Sequence, residues 1–346
     1  MKTMQDIAEA LDLSRLTVSS VINDCARERR ISVATEQRVR EYLDEIGYVP
    51  SRYARDLRDA PTDTAGLLYS GNLYTHLAEA FRRLSHAFEA PEALEVMLLP
   101  EAARDKGLRE MIARRVSRLV WLHARNDDHE IYHPERVLPL LRRFPRMVIY
   151  NYRFGWGRLE EELLGAGVNL VGTDRCKSYR KLAERLRALG HKRVALTYLE
   201  VEEKLADAMR QTGLEVVVVP SAEKLGGPPF EQPGQELADW IIANRKRERL
   251  TAVCAGADET AGHAMVALLQ HGISIPGDLS MVGHTDTPLA KAFAVPLASI
   301  RIPVDAMLGC TLTLLDGDDQ ARRHCFDSEL IERESLGAAP GLQTKK

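Results

Sequence analysis

A short stretch near the start of the chain carries side chains that could contact nucleic acid. They are small hydroxyls, one arginine and one leucine, at Arg15, Leu16, Thr17, Ser19 and Ser20. Hydroxyl groups can approach phosphate oxygens and base edges closely, and arginine binds both phosphates and guanine. The stretch is bounded by Ser14, a candidate helix cap, and by Asn23. The pattern predicts a helix from Ser14 to Asn23 whose exposed face contacts DNA.

Two helices that pack at a steep angle are needed to present this face. Thr3 can cap the first helix, and Asp6 three residues later resembles a capping box. Apolar residues recur at helical spacing through both segments, at Ile7, Ala8, Leu11, Val18, Val21 and Ile22. Only two or three residues lie between the predicted helices, which is the spacing of a helix-turn-helix.

A third helix and a basic segment follow. Ser32 is the candidate cap of this helix, and Gly47 is placed to end it in the left-handed conformation. Its buried stripe is predicted at Val39, Tyr42, Leu43 and Ile46. Residues 51–58 then form an amphipathic run with an arginine at every third position, and residues 59–64 are typical of a linker. These features predict a small helical domain with a tether.

From Thr64 the pattern changes to short apolar runs separated by helix-like segments. Nine of these runs are predicted as strands, at residues 66–69, 95–99, 119–122, 147–150, 170–172, 193–196, 215–219, 252–254 and 279–283. Continuous apolar runs are typical of strands buried on both faces, and their alternation with helices indicates parallel sheets. The number of strands favours two α/β lobes over one sheet.

Composition limits the partners and the location of the protein. A net charge of −3 produces no strong overall attraction to nucleic acid or anionic membranes, so any DNA affinity must come from a local cluster. The five cysteines are scattered without a CxxC pair, which argues against a disulfide frame or a zinc site. The N-terminus lacks the apolar region of a signal peptide, and no stretch has the roughly 20 apolar residues of a membrane span. We therefore expect a cytoplasmic protein.

Catalytic and metal-binding patterns are weak. His129 and His133 have the spacing of metal ligands on a helix, but spacing fixes no third ligand and Pro134 favours a loop. The sequence has no phosphate-binding loop, no nucleophile elbow and no HExxH motif, and residues 165–167 lack the third glycine of a dinucleotide site. We predict no enzyme activity, no metal and no cofactor.

The motifs of the first sixty residues strongly resemble those of the LacI/GalR (lactose-repressor) family. The matching segments are residues 4–8, 13–23 and 47–52, which give the long pattern DIA…SxxTVSxVxN…GYxP. The resemblance implies that residues 14–23 form a recognition helix in the major groove. It also assigns Tyr48, in the last of these segments, to the DNA-binding head. Thr3, Ser14, Asn23 and Ser32 are predicted to contact DNA as well.

The resemblance implies a second element that contacts DNA. A hinge helix that folds on DNA is expected from Arg52 to Leu57, with Ala54 and Arg55 among its contacts. In the family the leucine of this helix, here Leu57, wedges into the minor groove at the operator centre. Such a wedge costs unstacking energy and gains a bent duplex with more contacts.

Two departures from the family pattern affect the head. Ser20 stands where the family usually has arginine, which should change the base preference. Residues 24–30 make the next loop about three residues longer and add basic side chains that could contact phosphate.

The core resembles the effector domain of the same family, which is related to periplasmic sugar-binding proteins. The resemblance is carried by residues 189–195, 251–261, 272–283, 296–300 and 329–335. Residues 64–165 match only in the alternation of predicted strands and helices. It implies a ligand in a cleft between the lobes, held by polar groups at strand ends.

Six residues are candidates for contact with this effector. Asp258 is the aspartate of the family's Asn-Asp pair, and Asp286 belongs to its Gly-Phe-Asp-Asp turn. The other four lie at or after the ends of predicted strands, at Asn72, Tyr74, Asn151 and Asp174. Ala257 replaces the asparagine, and residues 201–205 lack the family's arginine, so the effector stays open between a sugar and a related metabolite.

The sequence thus predicts an all-α helix-turn-helix head plus an α/β core, like periplasmic binding proteins, of two doubly wound lobes. The predicted divisions are a DNA-binding domain (1–50), a hinge helix and linker (51–63), and an effector-binding and dimerisation domain (64–346). The predicted function is a homodimeric transcription regulator, a repressor of a near-palindromic operator on double-stranded DNA, controlled by a small molecule. Two alternatives remain open: a core that is only a dimerisation scaffold, and an enzyme with an accessory helical head.

Overall fold

The structure is a computed structural model, and the chain divides into two compact units, residues 1–62 and 63–346. It describes residues 4–22, 25–46, 64–70, 75–88, 94–99, 104–122, 134–155, 159–197, 202–219, 231–317 and 321–341. We call the first unit the head and the second unit the core. Among the described residues, no helix is both long enough and apolar enough to cross a membrane.

The described part of the head, residues 4–22 and 25–46, forms three helices: α1 (Met4–Ala10), α2 (Arg15–Ile22) and α3 (Val33–Glu45). Their apolar stripes meet in one small core in which Ile7, Val18, Val21 and Val39 are fully buried. The backbone reverses between α1 and α2 at Asp12, which adopts a φ of 52° that aspartate tolerates. The predicted helix-turn-helix is present, and the predicted cap Thr3 lies outside the described residues.

The core contains two sheets. In chain order its strands are β1 (Ala65–Ser70), β2 (Leu94–Leu99), β3 (Arg118–Leu122), β4 (Arg146–Phe154), β5 (Val168–Asp174), β6 (Arg193–Thr197), β7 (Glu215–Val218), β8 (Ala252–Ala255), β9 (Ser280–Thr285), β10 (Ala298–Arg301), β11 (Arg323–Phe326) and β12 (Glu329–Ile331). The first sheet has the order β11-β5-β4-β3-β1-β2 and the second β12-β10-β9-β8-β6-β7. All pairs are parallel except β10 with β12, as in doubly wound lobes.

Helices cover both sheets. They are α4 (Thr75–Ala87), α5 (Arg104–Ala113), α6 (Pro134–Leu141), α7 (Glu160–Gly165), α8 (Arg175–Ala188), α9 (Glu202–Arg210), α10 (Glu231–Glu248), α11 (Asp258–Gln270) and α12 (Val304–Asp316). The helices α4 and α12 pack on one face of the first sheet, and α5, α6 and α7 pack on the other. Helices on both faces bury most of each sheet, whereas Val96 and Leu98 of the edge strand β2 are exposed.

The chain passes between the lobes at three places. It leaves the first lobe after β5, because α8 packs in the apolar core of the second lobe. It returns after β10, because α12 packs on the first sheet. It crosses again between β11 and β12, which lie at the edges of different sheets. Each lobe is therefore assembled from separate stretches of sequence.

The nine predicted strands are all present, with ends shifted by a few residues. Three strands were not predicted: β10, β11 and β12. They have only four, four and three residues. In β11 exposed and partly buried residues alternate, so no apolar run marks it.

Candidate functional site

The exposed side of α2 carries most of the residues predicted to contact DNA. Arg15 and Leu16 are exposed, with Leu16 at 58%, and Thr17 and Ser19 are partly exposed. Ser14 caps the helix, because its hydroxyl oxygen accepts a hydrogen bond from the backbone N–H of Thr17 at 3.0 Å. The helix thus presents a small polar face with one protruding leucine.

Ser20 does not belong to that face, so the prediction that its side chain is exposed is wrong, and its contact with DNA stays a prediction. Its side chain is buried, and its hydroxyl donates to the backbone oxygen of Leu16 at 2.8 Å. The chain also returns over the end of α2, where the N–H of Cys25 donates to the Ser20 carbonyl at 2.9 Å. The short side chain at this position is therefore held against the backbone of its own helix.

The long loop between α2 and α3 forms a compact turn that presents arginines. Ala26 is buried in the core of the head, and the N–H of Ile31 donates to its carbonyl at 2.9 Å. Arg27, Arg29 and Arg30 are exposed around this anchor. The extra residues therefore add positive charge in a fixed place on the head.

Of the other predicted DNA contacts, the structure describes one residue and does not describe the rest. Ser32 caps α3, because its hydroxyl oxygen accepts from the N–H of Thr35 at 3.1 Å. The remaining predicted residues lie outside the described part of the chain: Thr3, Asn23, Tyr48, Arg52, Ala54, Arg55 and Leu57. Their assignment stays a prediction.

Asp258 is the first residue of α11 and is fully buried in the second lobe. Its carboxylate accepts hydrogen bonds from the hydroxyl of Ser299 and the N–H of Thr287, both at 2.6 Å. Burial raises the pKa of this carboxyl from 3.8 to about 7, although both hydrogen bonds act in the opposite direction. Asp258 thus connects the start of α11 to β10 and to the residues that follow β9. Both of its carboxylate oxygens accept hydrogen bonds from the second lobe.

Asp286 follows β9 and is held by two arginines. Its carboxylate lies 2.7 Å from Nε of Arg301 and 2.6 Å from a guanidinium nitrogen of Arg333, and the side chain is 3% exposed. It lines a cavity of about 790 Å³ formed by α4, the end of β9 and residues 301–306. Of the four predicted effector contacts that the structure describes, Asp286 alone is among the residues that line this cavity.

Asn151 occupies a β-bulge near the end of β4. The pairing of β4 with β5 passes from Tyr150 opposite Val171 to Tyr152 opposite Gly172, so Asn151 is the extra residue. It is buried and has a φ of 68°, a conformation that asparagine tolerates better than most residues. Asp174 caps α8 by accepting from the N–H of Lys177 at 3.0 Å. Asn72 and Tyr74 lie outside the described residues.

The bulge decides which way the end of β4 faces. Before it, Val148 and Tyr150 pack on the α4 side of the sheet. After it, Tyr152 and Phe154 pack on the other side. Side chains alternate along a strand, so Arg153 lies on the α4 side. The bulge therefore places an arginine at the carboxyl end of β4 near the first turn of α4.

Two arginines and two histidines interact near the carboxyl ends of β4, β5 and β9 and the first turn of α4. We call Arg153, Arg175, His76 and His284 the cleft cluster. Arg153 and Arg175 are 6% and 3% exposed, and His284 is 1% exposed. His284 stacks on Tyr179 of α8, with ring centroids 5.6 Å apart. His76 lies in the first turn of α4 and lines the cavity beside Thr285 and Asp286.

The arginines of the cleft cluster act on the pKa of its histidines. Burial, followed by Arg175 and Arg153, lowers the pKa of His76 from 6.5 to about 3. Burial and the same arginines hold the pKa of His284 well below its usual value. Both histidines are therefore neutral at pH 7, and the two guanidinium groups carry the charge.

Two family models match this chain. Residues 3–51 match "Bacterial regulatory proteins, lacI family", and residues 183–336 match "Periplasmic binding protein-like domain". The chain belongs to the LacI family. Its head and core are thus the DNA-binding and periplasmic-binding-protein-like parts of a LacI-family regulatory protein.

Curated relatives and solved structures agree with this LacI-family assignment. The regulator AscG of Escherichia coli K12 is 27% identical over 97% of this chain and 98% of its own. The ribose operon repressor of the same strain is 26% identical over 89% and 90%. The Lac repressor dimer bound to operator and the anti-inducer ONPF shares the fold, with a TM-score of 0.70 and 19% identity over 97% and 99%. A LacI-family regulator from Silicibacter pomeroyi has a TM-score of 0.78 at 18% identity, over 97% and 100%.

The cleft cluster of this LacI-family chain was not predicted from the sequence. Arg153 stands within the apolar run of a strand, and Arg175 directly follows one. A charged residue that interrupts a buried strand near its carboxyl end is a signal for a functional site in an α/β lobe. That signal in the sequence could have located both arginines.

Proposed function

We propose that the chain is a sequence-specific repressor whose head binds operator DNA and whose cleft binds a small-molecule effector. The observation that carries the proposal is the polar face of α2, which is exposed while Val18 and Val21 anchor the opposite side. The names of relatives support it, since they include a ribose operon repressor and the repressor PurR. A homodimer would place two heads on a near-palindromic operator, as the Lac repressor dimer is bound to its operator.

We propose that the effector acts by shifting the population of lobe arrangements. A ligand between the lobes favours the arrangement to which it binds more tightly. In the proposed division, residues 51–63 form the hinge and linker that carry this change to the DNA-binding domain at 1–50. The boundary between compact units after Thr62 supports this division. Leu57 is proposed as the wedge in the minor groove.

A regulatory role is favoured over a catalytic one, because the curated relatives named above are regulators. A protein that binds chromosomal operators acts in the cytoplasm, which we propose as its location. The test is to map the sites bound by the protein across the genome of its host. The purified full chain is then titrated with a duplex from the strongest site and with a scrambled duplex of equal composition.

Specific binding should exceed binding to the scrambled duplex by about a thousandfold or more at physiological salt. Equal affinity for both duplexes, with and without candidate metabolites, would contradict the proposed function. The genes beside the mapped sites would also indicate the class of effector.

A second candidate, a core that serves only as a dimerisation scaffold, is favoured by one observation. The carboxylates of Asp258 and Asp286 are both bound by groups of the same lobe. A thermal-shift screen of metabolites separates the two, because a ligand that binds only the folded state raises Tm.

A further inference from the structure

We propose that the effector of this protein is an uncharged molecule with a substantial apolar part, bound in the cavity of about 790 Å³ beside α4. The inference rests on the proposed function, because it names the chemical class of ligand for a site in the core. Small-molecule sites in proteins have volumes of roughly 300–1,000 Å³, so this cavity is large enough for such a ligand. The chemistry of the ligand follows from the residues that line the cavity.

Both lobes contribute to the lining of the cavity. From the first lobe comes one face of α4, at residues 75, 76, 78, 79, 82 and 83. From the second lobe come residues 285–288, at and after the end of β9. Residues 301–306 run from the end of β10 into the first turn of α12, where the chain returns to the first lobe. A ligand in this cavity contacts both lobes, so it can favour one arrangement of them over another.

Most of the surface that faces the cavity is apolar. The carbon stems of the lining arginines add to the apolar side chains, because long charged side chains lay their stems along apolar surface. Removing such a surface from water stabilises the complex with a ligand that has an apolar part. A ligand that is polar all round, such as a simple sugar, gains little from it. The apolar residues of the lining are Ala78, Pro288, Ile302, Pro303, Val304 and Ala306.

The described charged residues that line the cavity form three ion pairs with one another. In each pair one arginine meets one carboxylate: Arg82 with Glu79, Arg83 with Asp305, and Arg301 with Asp286. The carboxylate of Asp286 is the most buried of the three, with the side chain 3% exposed and an oxygen 2.7 Å from Nε of Arg301. His76, which also lines the cavity, is neutral at pH 7 because burial lowers its pKa to about 3. The described lining therefore has no net charge.

A charged ligand would have to compete with a pair that already exists. An anion that binds Arg301 competes with Asp286, and a buried charge that loses its partner is left uncompensated. The pair of Arg82 and Glu79 is more exposed, so a charged ligand gains little there because water and salt screen the attraction. An uncharged ligand meets neither cost. The hydroxyl of Thr75, at the start of α4, suits a hydrogen bond with a neutral polar group.

The first test titrates the full chain with Nile red, an uncharged dye that fluoresces more strongly in apolar surroundings. Displacement of the dye then compares probes with one skeleton and different charge: 2-phenylethanol, phenylacetate and 2-phenylethylamine. A second set compares phenyl β-glucoside with 4-carboxyphenyl β-glucoside and with glucose. We expect an uncharged aromatic probe to bind at least about tenfold more tightly than its charged partners and than glucose. The same probe should raise Tm.

A variant that fills the cavity locates the bound dye. Ala306→Trp places a large side chain in the cavity from an exposed position of α12, and it should weaken Nile red binding by about tenfold or more. Ala188→Trp, at an exposed position of α8 in the second lobe, is the matched control and should leave Kd unchanged. Unchanged dye binding by the Ala306 variant, or an equal loss in both variants, would overturn the assignment to this cavity.

A second variant tests the exclusion of anions by the ion pairs. Asp305→Asn removes the carboxylate that pairs with Arg83, so the affinity for phenylacetate should rise by about threefold, as expected for an exposed pair. The affinity for 2-phenylethanol should not change. Asp239→Asn, an exposed carboxylate of α10, is the control for the change in net charge. Equal phenylacetate binding by both variants would contradict the exclusion of anions by pairing.

Tighter binding of a charged probe or of glucose, or no binding of the dye and of any probe, overturns the proposed ligand class. These results leave the proposed function intact as long as the full chain still prefers its mapped operator to the scrambled duplex. If that preference is absent, the proposed function itself is wrong, whichever probes bind.

Discussion

Tyr152 and Gly172 are paired in neighbouring strands directly after the bulge at Asn151, and their close approach depends on the missing side chain of the glycine. A Cβ at Gly172 would overlap the backbone oxygen, carbon and nitrogen of Tyr152. Glycine there lets β5 approach the bulged strand, and the bulge turns Arg153 towards α4. The orientation of a buried arginine near the carboxyl end of β4 thus depends on a glycine on another strand.

Gly172→Ala should destabilise the core by about 3 kcal/mol, because backbone atoms rather than a flexible side chain must move. Urea unfolding of the full chain measures the change. Gly309→Ala is the matched control, since no atom lies within 4 Å of a Cβ built there. In the middle of α12 it should stabilise by about 0.5–1 kcal/mol. Similar stability of the two variants would contradict the role assigned to Gly172.

The turn between α2 and α3 should contribute to the salt dependence of DNA binding. Replacing Arg27, Arg29 and Arg30 by Gln removes three exposed charges from the head. The slope of log affinity against log salt should fall by about 0.9 for each phosphate that these side chains no longer neutralise. Fluorescence anisotropy with the mapped duplex measures this slope. A triple variant with the same change of charge in the core, at Arg142, Arg180 and Arg322, should keep the original slope.

Asp258 should make the protein less stable as pH rises towards neutrality. Burial raises its pKa from 3.8 to about 7 in the folded state. The folded protein therefore holds a proton that the unfolded chain releases between these two values, so stability falls as pH rises through this window. The contribution of one group is at most about 1.4 kcal/mol per pH unit.

The pH effect is measured as the difference in unfolding free energy between the unchanged protein and Asp258→Asn from pH 4 to 8. The unfolding free energy of the unchanged protein, relative to that of the variant, should fall as pH rises and should level off above about pH 7. Asp278→Asn is the control. Hydrogen bonds from Ser274 lower the pKa of that exposed carboxyl, so it is mainly ionised in both the folded and the unfolded state throughout this range. Its difference should be flat over this range. A flat difference for Asp258 would show that its carboxyl is already ionised when folded.

Leu57→Ala should weaken operator binding while leaving non-specific binding nearly unchanged. The proposed wedge acts only at the bent centre of a specific site, whereas non-specific affinity comes from phosphate contacts. Leu289→Ala, an exposed leucine of the second lobe, is the matched control. Unchanged affinity of the Leu57 variant for the mapped operator would exclude the hinge mechanism.

Most of the fold could be predicted because apolar runs mark buried strands. The nine predicted strands all contain such runs, and most of their described residues are buried or partly buried. The positions of the three short strands β10, β11 and β12 are set by the sheets that the other strands form. That placement is a property of the tertiary structure, and local sequence does not encode it.

The candidate sites were predictable to a smaller extent. Helical periodicity placed Arg15 and Leu16 correctly outside, but it could not foresee that the loop at Cys25 covers Ser20. The family motif located Asp258, yet its burial and its hydrogen bonds from Ser299 and Thr287 follow from strands far apart in sequence. The direction of Arg153 depends on a bulge, and a one-residue shift in pairing reverses every later side chain.

The last of the three passages between the lobes lets one short C-terminal segment complete both sheets. β11 completes the edge of the first sheet and β12 completes the edge of the second, within residues 323–331. A premature stop codon after α12 would therefore uncover β5 and β10 together and leave two open strand edges prone to aggregation. Neither half of the core can be obtained as an intact unit by cutting the gene at a single point.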